Sequence, residues 1–177
     1  MKLVILDRDG TINQDSEQFI KSPNEWRPLE GSLEGIARLA QANYRIVVAT
    51  NQSGIARGLF DTATLVAIHD TLQRAVMQAG GRIDAFFFCP HSADSACACR
   101  KPQPGMLLEV ARRFNISLKD TYMVGDALRD VEAAAAAGAK PVLVLTGRGR
   151  RTQEEGRLPT GTAVFDNLAA FAEHLAP

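Results

Sequence analysis

The stretch Leu3-Val4-Ile5-Leu6-Asp7-Arg8-Asp9-Gly10-Thr11 decides the fold. The run from Lys2 to Leu6 is apolar without alternation, the pattern of a short strand covered on both faces rather than on one. It stops abruptly in two acids, a glycine and a threonine. Residues two apart in an extended segment point the same way, so the carboxylates of Asp7 and Asp9 can face one ligand.

The same grammar recurs downstream. Arg45 to Ala49 reads as a second buried strand, followed by the polar loop Thr50-Asn51-Gln52-Ser53-Gly54. Ile83 to Phe88, Thr121 to Val124, Pro141 to Leu145 and Ala163 to Phe165 read as four more, the second of them ending in Gly125-Asp126. Between them lie helical patterns. Ser32 is placed to cap a helix carrying Leu33, Ile36, Leu39 and Ala40. Asp61 starts a longer one with Leu65, Ile68, Leu72 and Val76 on one face, stopped at Gly80-Gly81. Pro104-Gly105 opens a third, an alanine-rich helix runs to Ala137 before Gly138, and Asp166 is placed to cap the last. Residues 147–161 read as a polar, basic loop. Strands alternating with amphipathic helices predict an α/β fold, a three-layer, doubly wound parallel sheet in one domain spanning residues 1–177. In such sheets ligands bind beyond the carboxyl ends of the strands.

Composition narrows the function. The 177 residues are 46% hydrophobic and 23% charged, which excludes disorder, collagen and coiled coil. Twenty Lys and Arg balance twenty Asp and Glu, giving no reason to expect nucleic acid or an anionic membrane as partner. Runs such as Ala133 to Ala137 and Val142 to Leu145 are too short to span a bilayer. The first apolar run breaks at Asp7, too early for a secretory signal, so the expected location is the cytoplasm.

The residues that follow the strands should converge. Strand one delivers Asp7 and Asp9, strand two Thr50 and Asn51, strand four Asp126, and Lys101 lies after strand three. Clustered carboxylates raise one another's pKa, and a hard divalent cation relieves that repulsion; few carboxylates plus phosphate oxygens are what magnesium accepts. One acid of the Asp7/Asp9 pair can attack phosphorus while the other protonates the leaving oxygen. Thr50 and Lys101 are suited to holding the transferring phosphoryl oxygens.

Cys89, Cys97 and Cys99 fall within eleven residues, and His91 stands among them. Cys-x-His-x5-Cys-x-Cys supplies three thiolates and one imidazole, a closed tetrahedral set for structural zinc. That loop, residues 89–99, runs directly into Arg100-Lys101 and would support them. His69, His174 and Trp26 read as surface or packing residues, and Arg148, Arg150 and Arg151 as a solvated basic cluster. The intervals from Asp7 to Thr50 and from Thr50 to Lys101 are consumed by these elements, leaving no room for a cap domain, so the site should be open.

Asp7-Arg8-Asp9-Gly10-Thr11, Thr50-Asn51-Gln52-Ser53-Gly54, Arg100-Lys101-Pro102 and Gly125-Asp126 resemble the four motifs of the haloacid dehalogenase superfamily of phosphatases. More narrowly, Asn51 to Gly58, Cys89-Pro90-His91, Cys97 to Pro102 and Pro104 to Leu107 are similar to the D-glycero-D-manno-heptose-1,7-bisphosphate 7-phosphatases. The resemblance implies that Asp7 forms an aspartyl-phosphate and that Asp9 is the general acid, then the base. It implies that magnesium is held by the Asp7 carboxylate, the Asp9 carbonyl and Asp126. Arg100 would recognise substrate through its second phosphate, which a guanidinium suits geometrically. Asn51, Gln52 and Ser53 would line the substrate site with Asp15, Ser16, Glu17 and Gln18. A small phosphorylated sugar and a monomeric enzyme are expected.

Three departures stand out. Ala127 follows the fourth-motif acid where the family often has lysine, a role that Arg129 is placed to assume. The Ser16-Glu17-Gln18 segment lacks the expected Gly-Tyr. The five residues between His91 and Cys97 also suit histidinol-phosphate phosphatases, the alternative within the enzyme class. A phospho-receiver signalling domain shares an acceptor Asp, Thr, Lys and magnesium, but gains nothing from a second acid such as Asp9. A pure zinc-binding interaction module is the third reading.

Overall fold

The computed structural model describes residues 1–177, with all six predicted strands in one parallel sheet of order β3-β2-β1-β4-β5-β6. The strands are β1 (Leu3–Leu6), β2 (Arg45–Asn51), β3 (Ala85–Cys89), β4 (Tyr122–Gly125), β5 (Lys140–Val144) and β6 (Ala163–Phe165). The order in which strands are added reverses at β1, which pairs in parallel with β2 on one side and β4 on the other. That junction is where a doubly wound sheet opens a crevice.

Period-two burial sorts each strand onto two cores. Val4 and Leu6 of β1 join Ile46 and Val48 of β2 in one. There they meet α1 (Ser32–Gln41), α2 (Thr62–Gln78) and α6 (Leu168–Leu175) through Ile36, Leu39, Ile68, Leu72 and Phe171. Leu3, Ile5, Val47 and Ala49 join the other, under α3 (Gly105–Phe114) and α4 (Leu128–Ala137). Each strand is therefore covered on both sides, the reason its apolar residues do not alternate with polar ones.

No lid is built into the two segments where one could be inserted. Residues 7–31 hold a single 3-10 turn, Pro23–Glu25, and residues 90–104 hold neither helix nor strand. Trp26 is buried in the first core, as packing.

Several local expectations change. Ser32 is not a cap: Gly31 occupies that position at φ +76°, and the Ser32 hydroxyl instead donates to Ile12 O at 2.6 Å, tying α1 to the segment after β1. Asn167, not Asp166, caps α6, its side chain accepting from Ala170 N at 2.8 Å. The stretch 147–161 is not all loop, because Gly149–Glu154 forms α5. β2 extends two residues further than its apolar run, so Thr50 and Asn51 end the strand rather than start a loop. Hydrogen bonding to β3 carries it there: Thr50 pairs with Phe88 and Asn51 with Cys89.

Candidate active site

Asp7 leaves β1 with its N–H donating to Val124 O at 2.8 Å, so the first acid is held against the end of β4. Asp126 lies just beyond β4, and Asp130 one turn into α4. Carboxylate oxygens of Asp7, Asp126 and Asp130 all lie within 4.8 Å of one another, and all three residues are buried. The backbone clears space for them. Gly10, at φ +82°, and Gly147, at φ +52°, both stand where a Cβ would collide with Asp126 Oδ2.

Lys101 is the cation inside this cluster. It is 1% exposed, with Nζ 2.9 Å from Asp7 Oδ1 and 2.7 Å from Asp130 Oδ1, and it donates to Ala49 O at 2.8 Å. Its backbone is clamped by the Asn51 amide, which donates to Lys101 O and accepts from Lys101 N, both at 3.0 Å. Asn51, expected among the substrate-lining residues, thus uses its side chain to seat the lysine.

The Lys101 ammonium and the nearby Arg129 guanidinium do not neutralise three acids. Burial and the neighbouring Asp130 push Asp7 up to about 6 against the pull of Lys101. Asp126 is raised well above the ordinary carboxylate range by burial, Asp130 and Asp7. Its Oδ2 accepts from Arg148 N at 2.8 Å, while Oδ1 is buried without a partner. A buried, unpartnered carboxylate oxygen among repelling acids is the environment a hard cation completes, and an all-oxygen donor set suits magnesium.

Asp130 was not among the residues expected from the sequence. The available signal is a second acid four residues beyond Asp126, in the first turn of the helix that follows. Asp130 Oδ2 also accepts from Ala127 N at 3.0 Å, closing the first turn of α4.

Asp9 lies outside the three-acid cluster and has its own partners. Arg8 donates to Asp9 Oδ1 through Nε at 3.0 Å and Nη2 at 2.8 Å, Asn13 Nδ2 donates to the same oxygen at 2.9 Å, and Gln52 Nε2 donates to Oδ2 at 3.0 Å. Burial opposes ionisation, but Arg8 and these hydrogen bonds outweigh it and hold the Asp9 carboxyl below its ordinary value. Gln52, 2% exposed, also donates to Thr50 Oγ1 at 2.9 Å. It therefore braces the site from within rather than lining it.

Two open cavities flank the acids. One of about 770 Å³ is bounded by Asp15, Ser16, Glu17, Arg129, Arg148 and Arg151; Gln18 is not on its wall. Arg148, expected to be solvated, places its guanidinium 3.4 Å from Asp15 Oδ2. The second, about 640 Å³, is bounded by Lys101, Arg100, Arg129 and the stretch from Ser95 to Ala98. Ser53 is half-buried, with its carbonyl engaged by Arg57 N.

At the end of β3, donor atoms of Cys89, His91, Cys97 and Cys99 gather within 4.8 Å of one another. Cys89 Sγ lies 3.0 Å from Cys99 Sγ, 3.7 Å from Cys97 Sγ and 3.4 Å from His91 Nδ1. Burial and the Cys99 thiol push the Cys89 thiol up to about 12, while for Cys97 burial is outweighed by hydrogen bonds from the Arg100 backbone and the neighbouring thiols, which draw it down to about 6, so the cluster shares its protons unequally. Three sulfurs and one nitrogen at this spacing fit a closed tetrahedral zinc site.

A parallel sheet with an acid at the end of β1, a second acid beyond β4 and a buried lysine between them defines the haloacid dehalogenase class of phosphoric monoester hydrolases. A HAD-hydrolase-like family model matches residues 98–171. The D-glycero-beta-D-manno-heptose-1,7-bisphosphate 7-phosphatase of Bordetella bronchiseptica is 61% identical over 175 residues, covering 99% of this chain and 98% of that one. The Pseudomonas putida enzyme of the same name is 51% identical, covering 99% of both. The crystal structure of the B. bronchiseptica D,D-heptose 1,7-bisphosphate phosphatase, complexed with magnesium and phosphate, superposes with TM-score 0.97 at 60% identity over 99% of this chain and 98% of that one. The chain belongs to the D-glycero-beta-D-manno-heptose-1,7-bisphosphate 7-phosphatase family of the haloacid dehalogenase superfamily. An enzyme of this class, it is neither a signalling receiver nor a bare zinc module.

Proposed function

We propose that this chain hydrolyses the C7 phosphate of D-glycero-D-manno-heptose 1,7-bisphosphate through an aspartyl-phosphate, in the synthesis of nucleotide-activated heptose for the lipopolysaccharide core. The observation that carries the reading is the Lys101 ammonium held between Asp7 and Asp130 at the β1/β4 crevice, with Asp9 two residues further on. Asp7 attacks phosphorus, and the C7–oxygen leaving group departs with a proton from Asp9, whose protonated form, disfavoured by Arg8 in the free site, is favoured by the negative charge of the phosphate bound beside it. Asp9 then takes a proton from water, whose oxygen attacks the phosphoryl group, releasing phosphate and restoring Asp7.

Lys101 and Thr50 hold the phosphoryl oxygens; the Thr50 hydroxyl has only a 3.5 Å contact to Asn51 O to give up. Asp7, Asp126 and the Asp9 carbonyl would hold magnesium, which screens the acids and polarises the phosphoryl group. Arg100 and Arg129 line one cavity beside Lys101, which supports recognition of the second phosphate there. Asp15, Ser16, Glu17 and Ser53 shape the open rim. Cys89, His91, Cys97 and Cys99 would hold zinc and stiffen the segment that presents Arg100 and Lys101. We take residues 1–177 to work as one monomeric unit on small phosphorylated sugars rather than on nucleic acid or at a membrane; no helix is long and apolar enough to cross one.

Phosphate release from heptose 1,7-bisphosphate and from histidinol phosphate, with and without magnesium, tests the proposal. Magnesium-dependent preference for the sugar is expected. A preference for histidinol phosphate would overturn it in favour of the other phosphatase.

A further inference from the structure

Beneath the site lies a buried group that the chemistry above does not use. His69 projects from α2 and is 6% exposed. Its ring stacks on Phe86 of β3, with centroids 4.4 Å apart and planes inclined by 13°. Its Nε2 lies 3.2 Å from Arg8 Nη1. A guanidinium has no lone pair to offer, so Nε2 must accept, and the ring proton must sit on Nδ1. Burial, together with the Arg8 charge, keeps the ring neutral and pulls its pKa down to about 3.

Arg8 is itself fully buried, and its other two contacts both go to Asp9 Oδ1. With Asn13 Nδ2, that oxygen receives three donors, which exceeds its two lone pairs. Oδ2 receives only Gln52 Nε2. The two oxygens of Asp9 are thereby made unequal, and only Oδ2 has capacity left for a further partner.

We propose that His69 is a positioning residue: by accepting from Arg8 Nη1, it fixes the guanidinium that orients Asp9, and so assigns proton exchange with the leaving oxygen to Asp9 Oδ2. The inference rests on Asp9 being the general acid of the proposed reaction. Without the acceptor, Arg8 loses its only partner on that side, and its guanidinium holds Asp9 Oδ1 less firmly. Proton delivery then becomes less well aimed, whereas contacts to the phosphoryl group, made by Lys101 and Thr50, stay in place.

His69→Leu removes the acceptor and keeps an apolar filling; His69→Gln supplies Oε1 near the lost Nε2. The measured quantity is kcat/KM, which covers only the steps through departure of the leaving group. Two probes are compared: an alkyl (sugar) phosphate, whose leaving oxygen needs a proton, and p-nitrophenyl phosphate, whose leaving oxygen does not. His69→Leu is expected to lose about tenfold on the alkyl phosphate and under about threefold on the aryl one, and His69→Gln to recover most of the alkyl loss. Equal losses on both probes, or a Gln variant worse than Leu, would assign His69 to packing and overturn the inference. Asp9→Asn, run in parallel, separates the two levels. If it too shows no leaving-group dependence, the general-acid reading itself fails; if it does and His69→Leu does not, only the inference about His69 fails.

Discussion

The acids at the ends of β1 and β4 and the thiols at the end of β3 are two ligand clusters on one edge of one sheet, built in opposite ways. Asp7, Asp126 and Asp130 are 3%, 1% and 0% exposed and surround a lysine, yet leave Asp126 Oδ1 unpartnered. Cys97 and Cys99 are half-buried and His91 exposed, and the four donors of that set complete one another with no position to spare. An incomplete, buried, hard set keeps room for a substrate oxygen; a complete, soft set near the surface does not. On the proposed function, chemistry belongs to the first and support to the second.

The sharpest way to break that division is Asp7→Asn. Losing the attacking carboxylate should reduce phosphate release by at least about 10⁴-fold, as removal of a nucleophile does elsewhere. The fold should hold, because the amide removes one of three mutually repelling charges. Residual turnover within tenfold of the unaltered protein would show that the acid cluster is not where the bond is broken.

A second effect follows from the same repulsion. In the metal-free protein, Asp7 titrates near 6 rather than 3.8, and Asp126 is raised as well. At these two acids the folded state holds protons that the unfolded chain has released, a contribution to stability that is lost as pH rises from about 4 through 6, while His69, pulled down to about 3, contributes with the opposite sign over the same range. For Asp7 alone the loss amounts to about 3 kcal/mol. Asp9, whose pKa is lowered, acts below this window and with the opposite sign. Chemical denaturation across pH 4 to 8 with and without magnesium should isolate the acids, because the ion binds them ionised and does not touch His69: its stabilising effect should grow as pH rises through this range. The thiol cluster should add no magnesium dependence. A slope identical with and without the ion would separate the acids from cation binding.

Asp130 sharpens the comparison from inside the acid cluster. Asp130→Asn keeps the shape and can still accept from Ala127 N, but leaves Lys101 with one anionic partner instead of two. Turnover should fall by roughly 10²-fold, the size of a lost electrostatic contact in a preorganised site. Circular dichroism should be unchanged. Activity within a factor of two would make Asp130 a helix-closing residue only.

Most of the architecture is legible in the chain because burial on both faces leaves strands such as Val142 to Val144 with no polar residue to blur them. Asp7, Lys101 and Asp126 are legible because each stands where an apolar run, or a metal-loop motif, gives way to polar residues. What the sequence hides is direction. Asn51 and Gln52 read as substrate-facing polar residues, yet both turn inward to Lys101 and Asp9, a choice made by tertiary hydrogen bonds. Asp130 is masked by the alanine-rich helix that carries it. His69 shares the spacing of Leu65, Ile68 and Leu72, so it passes for core until Arg8 is found beneath it. Asp166 and Asn167 are adjacent cap residues, and only the backbone decides between them.

The mildest effect on turnover belongs to the other cluster. Cys99→Ser weakens the soft set without touching any acid. Cys99 Sγ is 3.0 Å from Cys89 Sγ and 3.3 Å from His91 Nδ1, so its loss opens the middle of the set rather than its edge. The next two residues are Arg100 and Lys101, and the Ala98 carbonyl accepts from Gly105 N at 2.9 Å, which ties the loop to the start of α3. Loosening there should shift Lys101 by a little rather than remove it, because the Asn51 clamp remains. Turnover should therefore drop about tenfold, within the range for disturbing a supporting shell, while zinc content falls and the melting temperature declines by about 5 °C. If zinc is lost while turnover and melting are both unchanged, the two clusters are neighbours without being coupled. If turnover instead falls as far as in Asp7→Asn, the thiols take part in the chemistry, and the separation of a working cluster from a supporting one breaks down.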